Sequence, residues 1–203
     1  MTTPKLLISA MQVTLDGYIL DPNGEAEWVD SWADGLELLQ PVDTFVLGGG
    51  MFPGYEQFWA TILDDPGTAS SMLGRDPYPR EITYAQVATG TPHLVLSTAL
   101  ADVTWPSARI VRDIDELSTL REQPGGAVYV VGGPGLLTSV INAGLLDELH
   151  LIVHPVATGG GTNVFGDLAE RNSFEFVSAE PMTSGRVHLA YRLRGNGVKD
   201  AKG

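Results

Sequence analysis

The chain has 203 residues, 43% of them hydrophobic and 18% charged, with a formal net charge of −13. That balance fits one globular domain with a real core, and so acidic a surface repels nucleic acid and anionic membranes, so neither is an expected partner. The absence of cysteine removes disulfides, thiolate nucleophiles and thiolate metal sites, and fits a cytoplasmic protein.

No apolar run approaches the ~20 residues that span a bilayer. The short one after Lys5 is broken at Gln12 and Asp16, so residues 5–13 read as a first core strand rather than a signal peptide. After a turn at Asp16-Gly17, Tyr18 to Leu20 continues as strand. Residues 30–40 have helical spacing, with Asp30 as N-cap and Pro41 as stop. Thr44 to Leu47 is a short buried strand running into Gly48-Gly49-Gly50, and residues 52–59 form a helix carrying Tyr55, Phe58 and Trp59. Residues 60–80, rich in Asp, Pro, Gly and Ser, read as a surface loop.

A short helix over 81–87 leads to a strand over 93–97, a strand over 109–112 and a helix over 114–122. The central strand Ala127–Val131 breaks on Gly132-Gly133-Pro134-Gly135 and enters a helix over 135–143, followed by a strand over 148–154. Residues 173–179 and 186–194 alternate as an antiparallel pair around Thr183-Ser184-Gly185, and the tail after Gly195 is expected to fray. Strands alternating with helices and then closing on a hairpin predict an α/β domain, with a mostly parallel central sheet and an antiparallel C-terminal hairpin. Ligands of such sheets lie beyond the carboxyl ends of the strands, where three glycine turns (48–50, 132–135 and 159–161) are placed to converge.

A strand that breaks on glycine into a helix start, here Gly132, Gly133, Gly135 and Leu136, offers backbone amides to a phosphate; a tight turn with no ligand is the alternative. The spacing is neither G-x-G-x-x-G nor a Walker loop. Asp34, after Trp32 and before an apolar run, is the candidate proton donor in a half-buried pocket, against a merely solvated acidic face. Asp30 is more simply a cap, and Asp16 more simply a turn residue. Trp28, Trp32, Trp59 and Trp105 are candidate walls for a planar ring, or core. His150 and His154 would stand about 13 Å apart on one strand face, too far to share a metal, so no metal site is expected, and His188 reads as a strand-pairing residue.

The ordered set V-Y-V-V-G-G-P-G-L-L, L-L-D-E-L-H-L-I-V-H-P-V and G-G-G-T-N-V-F, with T-L-D-G-Y-I near the start and L-S-T-A-L at 96–100, resembles the dihydrofolate reductase-like family. Within it, the chain is most similar to the riboflavin-biosynthesis reductase branch, that is, RibD C-terminal domain-like proteins. The resemblance spans most of residues 5–193 and implies one such domain over 1–195, with 196–203 as tail. It also implies an oxidoreductase that delivers hydride from NADPH to a small heterocycle, pterin- or pyrimidine-like, and a homodimer. Gly17 and Ile19 would border the nicotinamide, the 132–135 turn would hold the pyrophosphate, and Ser97 and Thr98 would border the adenosine end. Trp28 and Trp32 would face the substrate.

The chain departs from the family pattern at Leu47-Gly48-Gly49-Gly50-Met51, where relatives have L-G-R-x-T: Gly49 replaces the arginine that usually pairs with the 2′-phosphate. His93 likewise stands where relatives often carry a lysine after proline. Ser97, Thr98 and Arg75 are possible compensations. NADH, or a flavin or deazaflavin, therefore stays open as cofactor beside NADPH, and a ligand-binding or vestigial member without turnover stays open as the alternative function.

Overall fold

The apolar runs of the sequence become the strands of one sheet, seen in a computed structural model that describes residues 5–39 and 41–194. The expected tail after Gly195 lies outside the described residues, as does Gln40, the last residue of the expected first helix. In chain order the first elements are β1 (Leu7–Val13), β2 (Tyr18–Leu20), α1 (Asp34–Glu37), β3 (Val42–Gly48) and α2 (Phe52–Asp64). Next come α3 (Pro66–Leu73), α4 (Pro79–Gly90), β4 (His93–Leu96), β5 (Ala108–Val111), α5 (Ser118–Arg121), β6 (Ala127–Val131) and α6 (Pro134–Asn142). The chain closes with β7 (Glu148–Val153), β8 (Thr162–Asn163), β9 (Phe174–Pro181) and β10 (Val187–Leu193).

The main sheet has the order β5-β4-β3-β6-β1-β7-β10-β9. β5, β4, β3, β6, β1 and β7 run parallel, and β10 turns back antiparallel on β7 and on β9. The α/β class, the parallel centre and the antiparallel C-terminal pair are thus as the sequence predicts. Strands β1 and β6 are buried along nearly their whole length because both sheet faces are covered. One face packs Leu7, Val46, Val128 and Val130 under α6 through Leu137, Val140 and Ile141. On the other, Phe45, Leu47, Val95 and Tyr129 meet α2 and α4 through Phe52, Tyr55, Trp59, Tyr84 and Ala88.

Three expectations need correction. Residues 66–73 are helical rather than loop: Asp65 caps the helix by accepting from Thr68 N–H at 3.1 Å, Pro66 opens its first turn, and Gly74 ends it at φ +67°. The first helix shrinks to Asp34–Glu37 with Ala33, not Asp30, at its N-cap, because Asp30 is instead held by Arg80 Nη2 (2.8 Å) and Tyr78 Oη (3.2 Å). The stretch 114–122 is a 3₁₀ turn over Ile114–Leu117 passing into α5.

Candidate active site

Gly48-Gly49-Gly50 ends β3 and Gly132-Gly133 ends β6, and these two parallel neighbours bring the two glycine turns side by side. Leu136, in the first turn of α6, sits between them. A Cβ on Gly132 would come within 3.0 Å of its side chain, and one on Gly48 within 3.9 Å. A side chain on Gly132 would therefore press on Leu136, which would have to give by a few tenths of an ångström. Gly133 and Gly135 differ: a Cβ on either would meet nothing within 4 Å. Gly133 is the N-cap, in extended conformation (φ −71°, ψ 177°), and the first helical bond runs from Leu137 N–H to its carbonyl at 3.3 Å. The N–H groups of Gly135 and Leu136 precede that bond and so belong to the unsatisfied start of the helix, while Pro134 has no N–H to orphan. The open cradle, floored by glycine and edged by helix amides, has the shape and polarity to take a diphosphate.

Beside it lies a cleft of about 450 Å³. Ala10, Met11 and Gln12 of β1, Ile19 and Leu20 of β2, and Val131 of β6 with the following Gly132 and Gly133 line part of it. Trp32, Gly35, Met51, Gly54, Tyr55, Phe58, Trp59, Tyr84 and Tyr129 line the rest. Met51, Tyr55, Phe58 and Trp59 share the inner face of α2 and its entry by their i, i+4 spacing. Their rings interlock: Trp59 stacks on Tyr84 with centroids 4.1 Å apart, and Phe58 meets Trp59 edge-on at 4.8 Å. Trp32, half exposed, forms the rim.

The polar groups of the cleft are mostly spoken for. Gln12 donates from Nε2 to Ser31 O (2.7 Å) and accepts from His154 Nε2 (2.8 Å). Tyr55 and Tyr84 hydroxyls are 3.2 Å apart. Burial pushes the phenols of Tyr55, Tyr84 and Tyr129 well up, so they stay neutral at physiological pH. Lining residues with an ionisable group are thus tyrosines only, among the described residues.

The structure distributes the expected site residues unevenly. Ile19, Gly132, Gly133 and Trp32 line the cleft. Gly48, Gly49, Gly135, Leu136, Ser97 and Thr98 lie along the carboxyl edge beside it. Gly17 (φ +84°) shapes the turn before β2, its carbonyl accepting from Val164 N–H at 3.0 Å. Asp16 reaches across the turn: Thr14 Oγ1 (2.6 Å) and Gly159 N–H (2.7 Å) bond its carboxyl and hold it below the usual carboxylate range. The third glycine segment thus packs behind β2 rather than facing the cleft, with Gly161 (φ +121°) so near Leu20 O that a Cβ would lie 2.0 Å from it.

Two expectations are displaced. Asp34 is buried but does not line the cleft. Its Oδ1 accepts from Arg80 Nε at 2.7 Å and its Oδ2 from Arg186 Nη1, so each oxygen is engaged by a guanidinium. Trp28 is likewise absent from the lining, and its Nε1 is a buried donor without a hydrogen-bond partner among the described residues. Of the other tryptophans, Trp59 lines the cleft and Trp105 packs on Phe52, Tyr55 and His93 in the core. Arg75 is committed to Glu81, with both nitrogens at 2.9 Å. His150 and His188 stack at 5.0 Å with Nδ1 and Nε2 3.0 Å apart, and no cluster of three metal-ligating side chains occurs among the described residues. Tyr84 and Tyr129 were not foreseen in the wall: each is a single aromatic in an otherwise ordinary element, and only the sheet brings them to α2.

The family described as RibD C-terminal domain matches residues 5–188. The uncharacterized protein YyaP of Bacillus subtilis (strain 168) is 27% identical over 193 residues, covering 93% of this chain and 95% of its own. Dihydrofolate reductase from Enterococcus faecalis, solved with NADP(H), superposes with a TM-score of 0.60 at 16% identity, covering 95% of this chain and 99% of that one. A pyrimidine reductase-like protein from Corynebacterium diphtheriae superposes at 0.56 and 15% identity, covering 94% and 92%. These two structures share the fold.

Proposed function

The chain belongs to the RibD C-terminal domain family, and from that membership we propose that it is an NADPH-dependent reductase of a small, uncharged, planar heterocycle of pterin or pyrimidine type. The observation that carries the reading is the union of an open glycine cradle with an aromatic cleft. Gly133, Gly135 and the helix start at Leu136 would hold the diphosphate, and Ile19 with Gly132 would border the nicotinamide. Bound there, the reduced nicotinamide supplies a hydride. The chain's own part is to stack the acceptor ring on Trp32, Phe58 and Tyr55 and to exclude water around it. Because Asp34 is locked by two guanidinium groups, the proton that completes reduction comes from solvent at the mouth beside Trp32 and Met51.

The test is titration of the purified protein with NADPH, NADH and FMN by tryptophan fluorescence, followed by NADPH oxidation against neutral pterins and pyrimidines. Expected are NADPH binding and turnover with a neutral ring. Silence toward every nicotinamide sinks the reading, and FMN binding alone moves the protein to a flavin or deazaflavin chemistry on the same scaffold. The committed state of Asp34 favours a second reading, ligand binding without turnover, which NADPH binding with no oxidation in any mixture would select.

A further inference from the structure

The lining of the cleft is aromatic and apolar except at one point. Among the described residues, Gln12 is the one lining side chain that carries an amide. The hydroxyls of Tyr55 and Tyr84 bond each other at 3.2 Å, and that of Tyr129 faces Ala10 O at 3.5 Å. Trp32 and Trp59 offer donors only. Along β1, Ile8, Ala10 and Gln12 point to one face, and Ile8 pairs in register with Tyr129, so it is the face of the aromatic cluster. The Gln12 side chain therefore stands on the cleft side of the sheet. With 6% of its surface exposed, it lies inside and not at the mouth.

Two bonds fix which way that amide faces. A backbone carbonyl only accepts, so the Gln12 atom 2.7 Å from Ser31 O is Nε2. Oε1 then faces His154, whose Nε2 carries the hydrogen across 2.8 Å whether the ring is neutral or protonated. His154 is anchored in turn: its backbone N–H donates to Val13 O at 2.8 Å, and its ring is buried. Turning the carboxamide over would set acceptor against acceptor at Ser31. Each end of the amide is used once. Its nitrogen has two hydrogens and its oxygen two lone pairs, so Gln12 keeps one donor and one acceptor.

We infer that Gln12 is the specificity-determining residue that reads a lactam edge, the N–H and C=O of an amide built into the acceptor ring, an inference that rests on the reading of the cleft as the site of a planar heterocycle. The ring N–H donates to Oε1, and the ring C=O accepts from Nε2. A ring without either group leaves half of a buried amide unpaired. That is how a polar site rejects a near-isostere that apolar contact alone would admit. A carboxylate in place of the lactam has no hydrogen for Oε1, and it brings a charge to a lining that holds no cation among the described residues. The aromatic rings select by shape, and Gln12 selects by hydrogen-bond pattern.

Fluorescence titration of the wild type, Q12L and Q12E with lumazine (pteridine-2,4-dione), 1,3-dimethyllumazine and NADPH tests this, each ring with and without NADP⁺. Dimethylation keeps the ring and both carbonyls and removes both lactam N–H groups. The wild type is expected to bind lumazine about 10- to 100-fold more tightly than 1,3-dimethyllumazine. Q12L should bring that ratio close to one by losing lumazine affinity alone. Q12E, which keeps the acceptor and loses the donor, should weaken lumazine as well. Equal wild-type affinity for the two rings overturns the inference and leaves the heterocycle reading standing. A ratio unchanged in Q12L assigns the discrimination to a methyl clash elsewhere and overturns it too. A Q12L loss that falls on NADPH gives the edge to the nicotinamide carboxamide and overturns it for the acceptor. Binding of neither ring removes both the inference and the heterocycle reading. The wild-type comparison needs no variant, so it decides even where Q12L fails to fold.

Discussion

Asp34 illustrates how one side chain changes meaning between sequence and structure. A carboxyl after Trp32 and before an apolar run reads as an acid, yet in space it joins Arg80 from α4 to Arg186 at the β9–β10 turn. Removing one partner of a buried ion pair leaves the others uncompensated. Asp34→Asn is therefore expected to lose about 3 kcal/mol of stability by urea denaturation, while the folded fraction keeps its cofactor affinity. Gly133 gives the opposite test. Its φ and ψ suit any residue before proline, and a Cβ there meets nothing within 4 Å, so Gly133→Val should fold normally. The side chain would then fill the cradle. Cofactor affinity should fall at least tenfold with the melting temperature nearly unchanged, as fluorescence titration and thermal melts would record.

Helix α6 joins core and site in one element. Its Leu137, Val140 and Ile141 are buried against the sheet, while its start forms the cradle. Leu137→Ala should cost about 2–5 kcal/mol, the range for large-to-small changes in a filled core, measured as a lowered urea midpoint with an unchanged slope. Element length was legible where apolar runs are bounded by strong punctuation: Ala127–Val131 ends on glycine as read from the sequence, and α6 opens at Pro134, one residue before the expected 135. It was not legible at α3. There the polar residues Thr68, Ser70 and Ser71 mask a helix held by one cap and one buried Ala69, a tertiary contact with no periodic signal.

Across the whole molecule, the four histidines are all buried and all titrate below their ordinary value, with burial as the main cause in each. His93, stacked on Phe45 at 4.8 Å and donating from Nδ1 to Thr91 O at 2.8 Å, is lowered to about 4. A histidine kept neutral by the fold binds fewer protons than the unfolded chain does. Stability is therefore full above the unfolded value near 6.5 and falls as pH drops from there toward 4. His93 alone accounts for roughly 3 kcal/mol of that loss. Urea midpoints at pH 7, 6 and 5 should decline steadily, and His93→Phe should flatten the decline.

The sequence by itself determined the α/β class, the parallel centre with its antiparallel close, and the glycine turns at strand ends, because hydrophobic period and turn chemistry are local properties of the chain. It also carried the family resemblance, which depends on motif order alone. Only the tertiary structure decided which groups face the cleft. Asp34 was drawn away by two arginines from distant segments, Tyr84 and Tyr129 were brought in by the sheet, and Ser97 closed the space at Gly49. The reason is physical: burial and charge pairing are set by neighbours tens of residues away, and no spacing within one segment encodes them.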